Sequence, residues 1–373
     1  MDIATVSAAI RRFPLLGRPR PDCPALPLRL KEVAQAADAA VHKLEHGMHD
    51  AAHALNKAAL IASDAGMADL AKHLCWQHID AYRRIDRPLT ILEARYMLEP
   101  VLNLARLQIR ADQGTPALSL LEAMHQAISH RTDLTIGDHV LPTANLTGEQ
   151  SEGRKLREWV WLQLIGEGIR ALALANRWAD AAEHARTHNG IGAHLMEGRQ
   201  AIIVAALVED IPAVSCKLLT ETVLTQPWEQ QVAACLHLMV SPRASTLMPQ
   251  HLANALRRFA ASDTATNYAS YRARLGLTLA ILANATQPEL AVKVLGRVAK
   301  HAIDSGDGYA ARDVLGFREP IDGISEPHRT HLSRIAVNAG IGLGQLPDDA
   351  VNSVTANTDL AVKAIDVALN ART

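Results

Sequence analysis

The chain has 373 residues, which exceeds the usual single core and indicates either several domains or one array whose core extends along the chain. Hydrophobic residues make up 49% of it but aromatic residues only 3%, which favours closely packed helices rich in small and aliphatic side chains and excludes a large sheet. With 38 Lys and Arg against 39 Asp and Glu, the net charge of -1 argues against a nucleic-acid partner, because phosphate backbones require a basic surface.

Residues 1–29 predict a proline-rich arm ahead of the regular structure. A short apolar stretch gives way to five prolines, which indicates a brief helix followed by extended chain. The basic residues of the arm have two interpretations, a solvated tail, which is favoured, and an arm that contacts an acidic partner; these residues are Arg11, Arg12, Arg18 and Arg20.

Targeting and redox signals predict a cytoplasmic protein without a membrane partner. Charges and prolines near the start interrupt any signal-peptide core, and no segment reaches the ~18 uninterrupted apolar residues of a spanning helix. The four cysteines lie far apart without a C-x-x-C pair, which fits a reducing compartment and indicates neither a zinc knuckle nor a disulfide framework.

Helical periodicity begins near residue 30 and repeats as helix, tight turn, helix. Three similar segments of this kind begin at Leu55, Leu102 and Ile169. The turn-to-turn spacing from Arg177 to Ile211 is 34 residues, the period of the tetratricopeptide repeat (TPR). We therefore predict an irregular all-α solenoid of TPR-like hairpins over residues 30–130 and 155–373, ending in a C-terminal capping helix.

Residues 131–154 interrupt this pattern with a polar, glycine-punctuated insertion. Its LTIGDHVLP core predicts a small β-hairpin, with an irregular loop as the equal alternative. Long insertions in helical repeats are often functional, so the insertion is a candidate site. A second polar break, at residues 241–250, is expected to separate a front half from a back half.

Two segments of the repeat region resemble a known family. They are LNKAALIASDAGMADLAKHLCWQHIDAYRR, which is similar to the repeats of actinobacterial TPR-containing regulators, and ANRWADAAEHA, which resembles the turn and second helix of a TPR unit. The resemblance covers residues 30–190. Those regulators carry a DNA-binding helix-turn-helix before the repeats, whereas proline-rich residues 1–29 stand there in this chain. The resemblance therefore implies recognition of a peptide or protein in a groove, without direct DNA binding.

Four histidines in VHKLEHGMHDAAHALN recur at i, i+4, i+7 and i+11, so we predict one helix face formed by His42, His46, His49 and His53. Imidazoles one turn apart can bind Zn²⁺, and residues 42–46 match the H-x-x-E-H pattern of inverzincin metalloproteases. That family uses a mixed α/β fold for which the sequence offers no strands. A polar helix face is therefore favoured over metal binding, and no cofactor is expected unless this stripe binds Zn²⁺.

A second polar group lies on the predicted first helices of two hairpins. In TPR proteins these helices line the concave groove, where an Asn can bond the backbone amide of a ligand and a cation can bind a carboxylate. We therefore predict a peptide-binding surface formed by Asn56, Lys57, Asn103, Arg106 and Arg110. The alternative for the two asparagines is a bridge between neighbouring helices inside the solenoid.

Three further side-chain environments are predicted from the pattern. Glu167 and Arg170 are expected to pair with each other on a solvated face. Cys75 is expected in the core. Tryptophans are expected to pack between hairpins, at Trp159, Trp161, Trp178 and Trp228.

The repeat pattern, together with the lack of P-loop, G-x-S-x-G and H-E-x-x-H motifs, predicts a non-catalytic scaffold whose concave face binds a peptide or protein segment. Two alternatives stay open. The first is an accessory or catalytic component of a peptide-modifying, natural-product pathway, to which the His stripe or the 131–154 insertion contributes. The second is a regulatory signalling module. Homo-oligomer formation is also left open.

Overall fold

The computed structural model describes residues 2–42, 47–241, 248–261 and 266–371. Over these residues it is an all-α protein of successive helical hairpins with one two-stranded sheet, which confirms the predicted fold class. Every described helix is too short or too polar to cross a lipid bilayer.

The elements follow one another in chain order. Those in the first half of the chain are α1 Ile3–Ile10, α2 Leu26–His42, α3 Gly47–Ala65, α4 Ala68–Arg83, α5 Ile91–Arg110, α6 Gly114–His130, β1 Leu134–Ile136, β2 His139–Leu141 and α7 Gln150–Leu174. Those in the second half are α8 Trp178–Thr187, α9 Glu197–Val208, α10 Pro212–Thr220, α11 Pro227–Val240, α12 Met248–Ala260, a 3₁₀ turn at Thr266–Tyr268, α13 Ala269–Asn284, α14 Pro288–Ser305, α15 Gly308–Leu315, α16 Glu326–Asn338 and α17 Asp348–Asn370.

These elements form two compact units, neither of which is a single stretch of sequence. The groove unit comprises Ala25–Ala171 and Gly340–Thr373, and the arm unit comprises Met1–Pro24 and Leu172–Ala339. In the groove unit, α17 packs against α2, α3 and α4. The C-terminal helix therefore covers the first hairpins of the chain.

Helix α3 is central to the groove unit because α2, α4, α5 and α17 all pack against it. Its contact positions are mostly alanines without measurable exposure, among them Ala51, Ala54, Ala58 and Ala62. Such small side chains let neighbouring helices approach closely while each still removes apolar area from water. Only one narrow face of α3 remains for polar side chains, and that face forms part of the site described below.

The same turn joins the two helices of successive hairpins. A residue in the left-handed conformation stands two positions before the next helix at Gly66, Asp112, Asn176 and Asp210. In each turn the next backbone N–H donates to the carbonyl five residues earlier, over 2.8 to 2.9 Å. This Schellman bond satisfies a carbonyl at the helix end, and glycine or a short polar residue tolerates the backbone it requires. The predicted inter-helix turns are confirmed.

The predicted hairpin in the insertion is also confirmed. Strands β1 and β2 pair in an antiparallel register in which Leu134 faces Leu141, and both leucines are buried. Gly137 turns the chain with φ +57°, a conformation that glycine adopts without strain. Asp133 accepts backbone hydrogen bonds from Thr143 and Ala144, which closes the segment that follows the hairpin.

The N-terminal arm is docked within the arm unit, so its interpretation as a solvated tail is wrong. Beyond α1, residues 13–24 run without helix or strand. Arg11 pairs with Glu319, and Arg18 pairs with Glu197 at 3.1 Å. The acidic groups that these arginines contact therefore belong to the chain itself.

Candidate functional site

The main candidate site is a groove of about 360 Å³ in the groove unit, lined by α3, α5 and α7. Helical spacing builds it, since residues three or four apart share one face. Five polar or charged residues of α5 line the groove, and they follow one another at intervals of 4, 4, 3 and 4 positions: Arg95, Glu99, Asn103, Arg106 and Arg110. The structure thus brings together all five residues predicted for the peptide-binding surface, Asn56, Lys57, Asn103, Arg106 and Arg110.

Carboxamides connect α3 and α5 at the centre of the groove. Asn103 Nδ2 donates to Asn56 Oδ1 over 3.0 Å, and Asn56 Nδ2 donates to Glu99 Oε2 over 2.9 Å. Arg106 Nη1 donates to Asn103 Oδ1 over 3.3 Å. The two asparagines therefore bridge neighbouring helices, which was the alternative to ligand contact. They are also half-buried on the groove lining, so ligand contact stays a prediction.

Helix α7 extends this network through Glu167. Arg106 Nε donates to Glu167 Oε1 over 2.8 Å, and Arg170 Nη1 donates to Glu167 Oε2 over 3.4 Å. The predicted pairing of Glu167 with Arg170 is confirmed. The expected solvated face is wrong for Glu167, however, because this residue is buried.

A second carboxylate, Asp64 near the end of α3, also lies between two arginines. Arg29 Nη2 donates to Asp64 Oδ2 over 2.6 Å, with both side chains buried, and Arg110 Nη2 lies 3.1 Å from Asp64 Oδ1. Arg110 also donates to the hydroxyl of Ser63. The buried Arg29–Asp64 pair anchors the more exposed Arg110 at one end of the groove.

At the His53 end of the groove, Glu32 of α2 contacts two residues of α3. Lys57 Nζ lies 2.9 Å from Glu32 Oε1, and His53 Nε2 lies 3.1 Å from the same oxygen. Burial raises the pKa of the Glu32 carboxyl, but hydrogen bonding and charge from Lys57 and then His53 outweigh it and hold the pKa below its usual range. Glu32 is therefore an anion that fixes Lys57 beside the groove.

Trp159 of α7 provides an aromatic surface, with the Arg95 guanidinium 3.5 Å from its ring centroid. Arg95 also lies 3.2 Å from Glu99, which connects the aromatic surface to the central asparagines. Burial lowers the pKa of Arg95, and Glu99 opposes that effect. Sequence reasoning placed Trp159 between hairpins and missed both Arg95 and Glu99. The signal that could have found them was the helical spacing that leads from Arg95 to Asn103.

These contacts form what we call the groove network, in which six cations share four carboxylates. The cations are Arg29, Lys57, Arg95, Arg106, Arg110 and Arg170, and the carboxylates are Glu32, Asp64, Glu99 and Glu167. Asp64 and Glu167 each serve two arginines. The groove network therefore has more positive than negative charge, although the whole chain has a formal net charge of -1.

The histidine stripe does not form on one helix as predicted. Helix α2 ends at His42 and α3 begins at Gly47, and the two helices are antiparallel, since Glu32 of α2 contacts both His53 and Lys57 of α3. The single-helix interpretation is wrong because His42 lies at the end of α2, whereas His49 and His53 lie on α3. His46 lies outside the described residues, as does most of the H-x-x-E-H match over 42–46.

The three described histidines of the stripe contact different acidic residues. His42 Nδ1 is 3.3 Å from Asp38, His49 Nδ1 is 3.3 Å from Asp50, and His53 Nε2 contacts Glu32. Zn²⁺ binding by His42, His46, His49 and His53 stays a prediction.

Cys75 is a core residue, as predicted. It borders the groove, but its side chain is buried, and burial raises the pKa of its thiol to about 12. Because the thiolate is the nucleophilic form, Cys75 is chemically inert at neutral pH.

Neither a protein-family model nor a curated protein sequence matches the chain. Among solved structures, it is similar to a "Circular tandem repeat protein with novel repeat topology and enhanced subunit contact surfaces", with 14% identity over 92% of this chain and 84% of that chain, and a TM-score of 0.17. At that TM-score the likeness bears on neither architecture nor function. The class defined by the structure is a helical-hairpin protein, and membership of the TPR-containing regulators stays a prediction.

Proposed function

We propose that this protein is a non-catalytic, TPR-like scaffold whose groove binds an extended peptide segment that carries carboxylate groups. The observation that supports this most strongly is the excess of cations in the groove network. Arg106 shares Glu167 with Arg170, and Arg110 shares Asp64 with Arg29. Because Arg106 and Arg110 also line the groove, each can bind a carboxylate of a ligand in the planar two-point geometry that a guanidinium favours.

The two groove asparagines supply a way to hold peptide backbone. Each carboxamide has a donor and an acceptor, as does each peptide amide. An incoming backbone amide can replace the Asn56–Asn103 bond with bonds of the same kind, so the number of hydrogen bonds is conserved and the net free-energy change is small. The groove would then recognise the backbone through Asn56 and Asn103 and acidic side chains through Arg106 and Arg110.

Apolar side chains of the ligand have contact surfaces in the same groove. Leu60, Leu102 and Leu107 line it, and Trp159 adds an aromatic face with a stacked arginine. An indole with a guanidinium 3.5 Å over its ring provides a broad surface that is apolar in one part and cationic in the other. The volume of about 360 Å³ lies in the range of specific ligand sites, which begins near ~300 Å³.

The test is a peptide array of ten-residue segments, probed with the wild type and with an Asn56→Ala/Asn103→Ala/Arg106→Ala triple variant. We expect the wild type to capture peptides with two or more Glu or Asp residues, with capture falling as salt rises. The triple variant should bind these peptides at least tenfold more weakly. Arg186→Ala is the matched control, because Arg186 is an exposed arginine paired with Glu183 on α8.

Circular dichroism and thermal unfolding of each variant separate a binding defect from a folding defect. Unchanged capture by a folded triple variant would contradict the groove assignment. Metal analysis of the purified protein addresses the predicted peptide-modifying alternative. Stoichiometric Zn²⁺ that is lost on His42→Ala/His49→Ala substitution would contradict a purely non-catalytic scaffold.

A further inference from the structure

The extended part of the arm, residues 13–20, lies within the arm unit in the manner of a bound peptide. Its backbone polar groups bond to side chains of the helices and to one loop carbonyl. The buried Gln200 of α9 contacts Leu15, Arg274 of α13 donates to the carbonyl of Arg12, and the N–H of Arg20 donates to the carbonyl of Asn267 over 2.9 Å.

Gln200 is the centre of this recognition. Its Oε1 accepts from the N–H of Leu15 over 2.8 Å, and its Nε2 donates to the carbonyl of the same residue over 2.7 Å. Nε2 also donates to the carbonyl of Leu195 over 2.8 Å. The side chain has no measurable exposure with the arm in place, so the arm supplies two of the hydrogen-bond partners that this buried carboxamide requires.

Consecutive side chains of the arm pack against the helices. Phe13, Pro14 and Leu15 are buried, and Leu16 is half-buried. Gly17 lies against Trp228, and a Cβ on Gly17 would lie 2.2 Å from the Cβ of Trp228. The surface therefore accepts a run of apolar residues that ends in a glycine, and the glycine is required by the close approach of the backbone to Trp228.

Ion pairs fix both ends of this segment. Arg11 contacts Glu319, and Arg18 contacts Glu197 at 3.1 Å. Residues 18–22 that follow are exposed at every position. Main-chain hydrogen bonds, a run of buried apolar side chains, a close backbone contact and flanking charges are the parts that make a peptide site, whereas a structural arm needs only apolar burial.

We propose that this surface is a second peptide-binding site, separate from the groove, and that residues 13–20 are its displaceable intramolecular ligand. Its ligand class is an extended apolar segment with an inward-facing glycine and flanking arginines, the chemistry of FPLLGRPR. Because the arm is covalently attached, its effective concentration at the surface is on the order of millimolar, and the arm excludes competitors that bind more weakly.

The test uses the full chain with a protease site inserted between Pro21 and Asp22, both exposed. Cleavage leaves the arm fragment in place while removing its covalent attachment. A fluorescent peptide of residues 1–21 is added in excess, and anisotropy follows its binding. We expect the peptide to exchange into the cleaved chain and to bind the uncut chain at least tenfold more weakly.

A peptide variant tests the surface without changing the protein, and a chain variant tests displacement of the arm. The Gly17→Ala peptide should compete at least tenfold more weakly than the wild-type peptide, because its methyl group would meet Trp228. An uncut Leu15→Ser chain, whose arm loses apolar contact, should bind the wild-type peptide better than the wild-type chain does. Two results would overturn the proposal. One is a folded, cleaved chain that does not take up the peptide, and the other is a loss of helical circular dichroism when the fragment dissociates.

Discussion

The groove unit and the arm unit use carboxamide side chains in opposite ways. In the groove unit, Asn56 and Asn103 bond to each other and to charged neighbours. In the arm unit, Gln200 gives its acceptor and one donor bond to the backbone of an extended segment. The same chemical group is satisfied within the helices in one unit and by a peptide in the other.

This difference shows what converts a helical surface into a peptide site. Gln200 is fully buried, so its partners must come from the chain that covers it, and the arm is held firmly. The groove asparagines are half-buried and satisfied locally, so an incoming peptide competes with bonds that already exist. We expect weaker, salt-dependent binding in the groove and tighter binding at the arm surface.

Replacing the groove anchor Asp64 should have the largest effect on stability. Asp64→Ala leaves the buried guanidinium of Arg29 without this carboxylate and should lower the free energy of unfolding by about 3–5 kcal/mol. Urea denaturation measures the loss. Asp69→Ala, at an exposed position in the first turn of α4, is the matched control and should change stability by less than about 0.5 kcal/mol. Equal effects for the two would contradict the anchoring role.

Replacing Gln200 should have the next largest effect and should act on the arm unit. Gln200→Leu leaves the N–H and the carbonyl of Leu15 without their partners, and we expect a loss of about 2–3 kcal/mol. Hydrogen exchange followed by mass spectrometry should show faster exchange over residues 13–24. Gln77→Leu, at a half-buried Gln of the groove unit that donates to Asp359, should leave that exchange unchanged. If residues 13–24 exchanged no faster in Gln200→Leu than in the wild type, the role of Gln200 in holding the arm would be contradicted.

The pH dependence of the free energy of unfolding should report on a buried histidine in the core of the groove unit, and not on the groove or the arm surface. His78 is buried in α4 without a hydrogen-bond partner among the described residues, and burial lowers its pKa to about 3. As the pH falls, the histidine of the unfolded chain, with a pKa of about 6.5, becomes protonated before the buried His78 of the folded chain. The free energy of unfolding therefore falls as the pH drops below about 6.5. Between pH 6.5 and 5 the loss should be about 2 kcal/mol.

His78→Leu should flatten this part of the pH profile, as measured by urea denaturation at each pH. His73→Leu, at an exposed position of the same helix, should retain the wild-type slope. If both variants keep the slope, other groups cause it. The arm-unit transition should not respond to His78→Leu, because His78 belongs to the groove unit.

The smallest effect on stability is expected for Asn103→Ala. It removes one hydrogen bond to Asn56 and one from Arg106, both half-exposed, and should cost about 1 kcal/mol. Its effect on capture of acidic peptides should be larger than its effect on stability. On the same sample, thermal unfolding measures the change in stability and fluorescence anisotropy measures the change in peptide binding. A stability loss without any change in capture would identify Asn103 as a helix bridge alone.

Local sequence patterns predicted much of the groove. Helical spacing grouped Asn56 and Lys57 on α3 and Asn103, Arg106 and Arg110 on α5, because residues on one helix face follow a fixed period. The turns were predictable for a similar reason, since glycine and short polar residues mark left-handed positions.

Contacts between distant parts of the chain were not predictable in this way. Periodicity does not show that α17 covers α2 to α4, nor that Gln200 reaches an arm 185 residues earlier. The single-helix prediction for the His stripe failed because the helical spacing of the histidines continues from α2 into α3, and the sequence from His42 to Gly47 lacks a proline to mark the boundary. Trp159 was assigned to packing because an aromatic residue at helical spacing is usually buried.

The most direct test of the central claim is photo-cross-linking of an acidic peptide selected by the array. A diazirine residue is placed beside its glutamates, and cross-linked sites are mapped by mass spectrometry in the full chain. We expect cross-links to Leu60, Leu102, Leu107 and their neighbours on α3, α5 and α7, with loss of these cross-links in the Asn56/Asn103/Arg106 alanine variant. Cross-links confined to other surfaces, with unchanged yield in the folded triple variant, would contradict it.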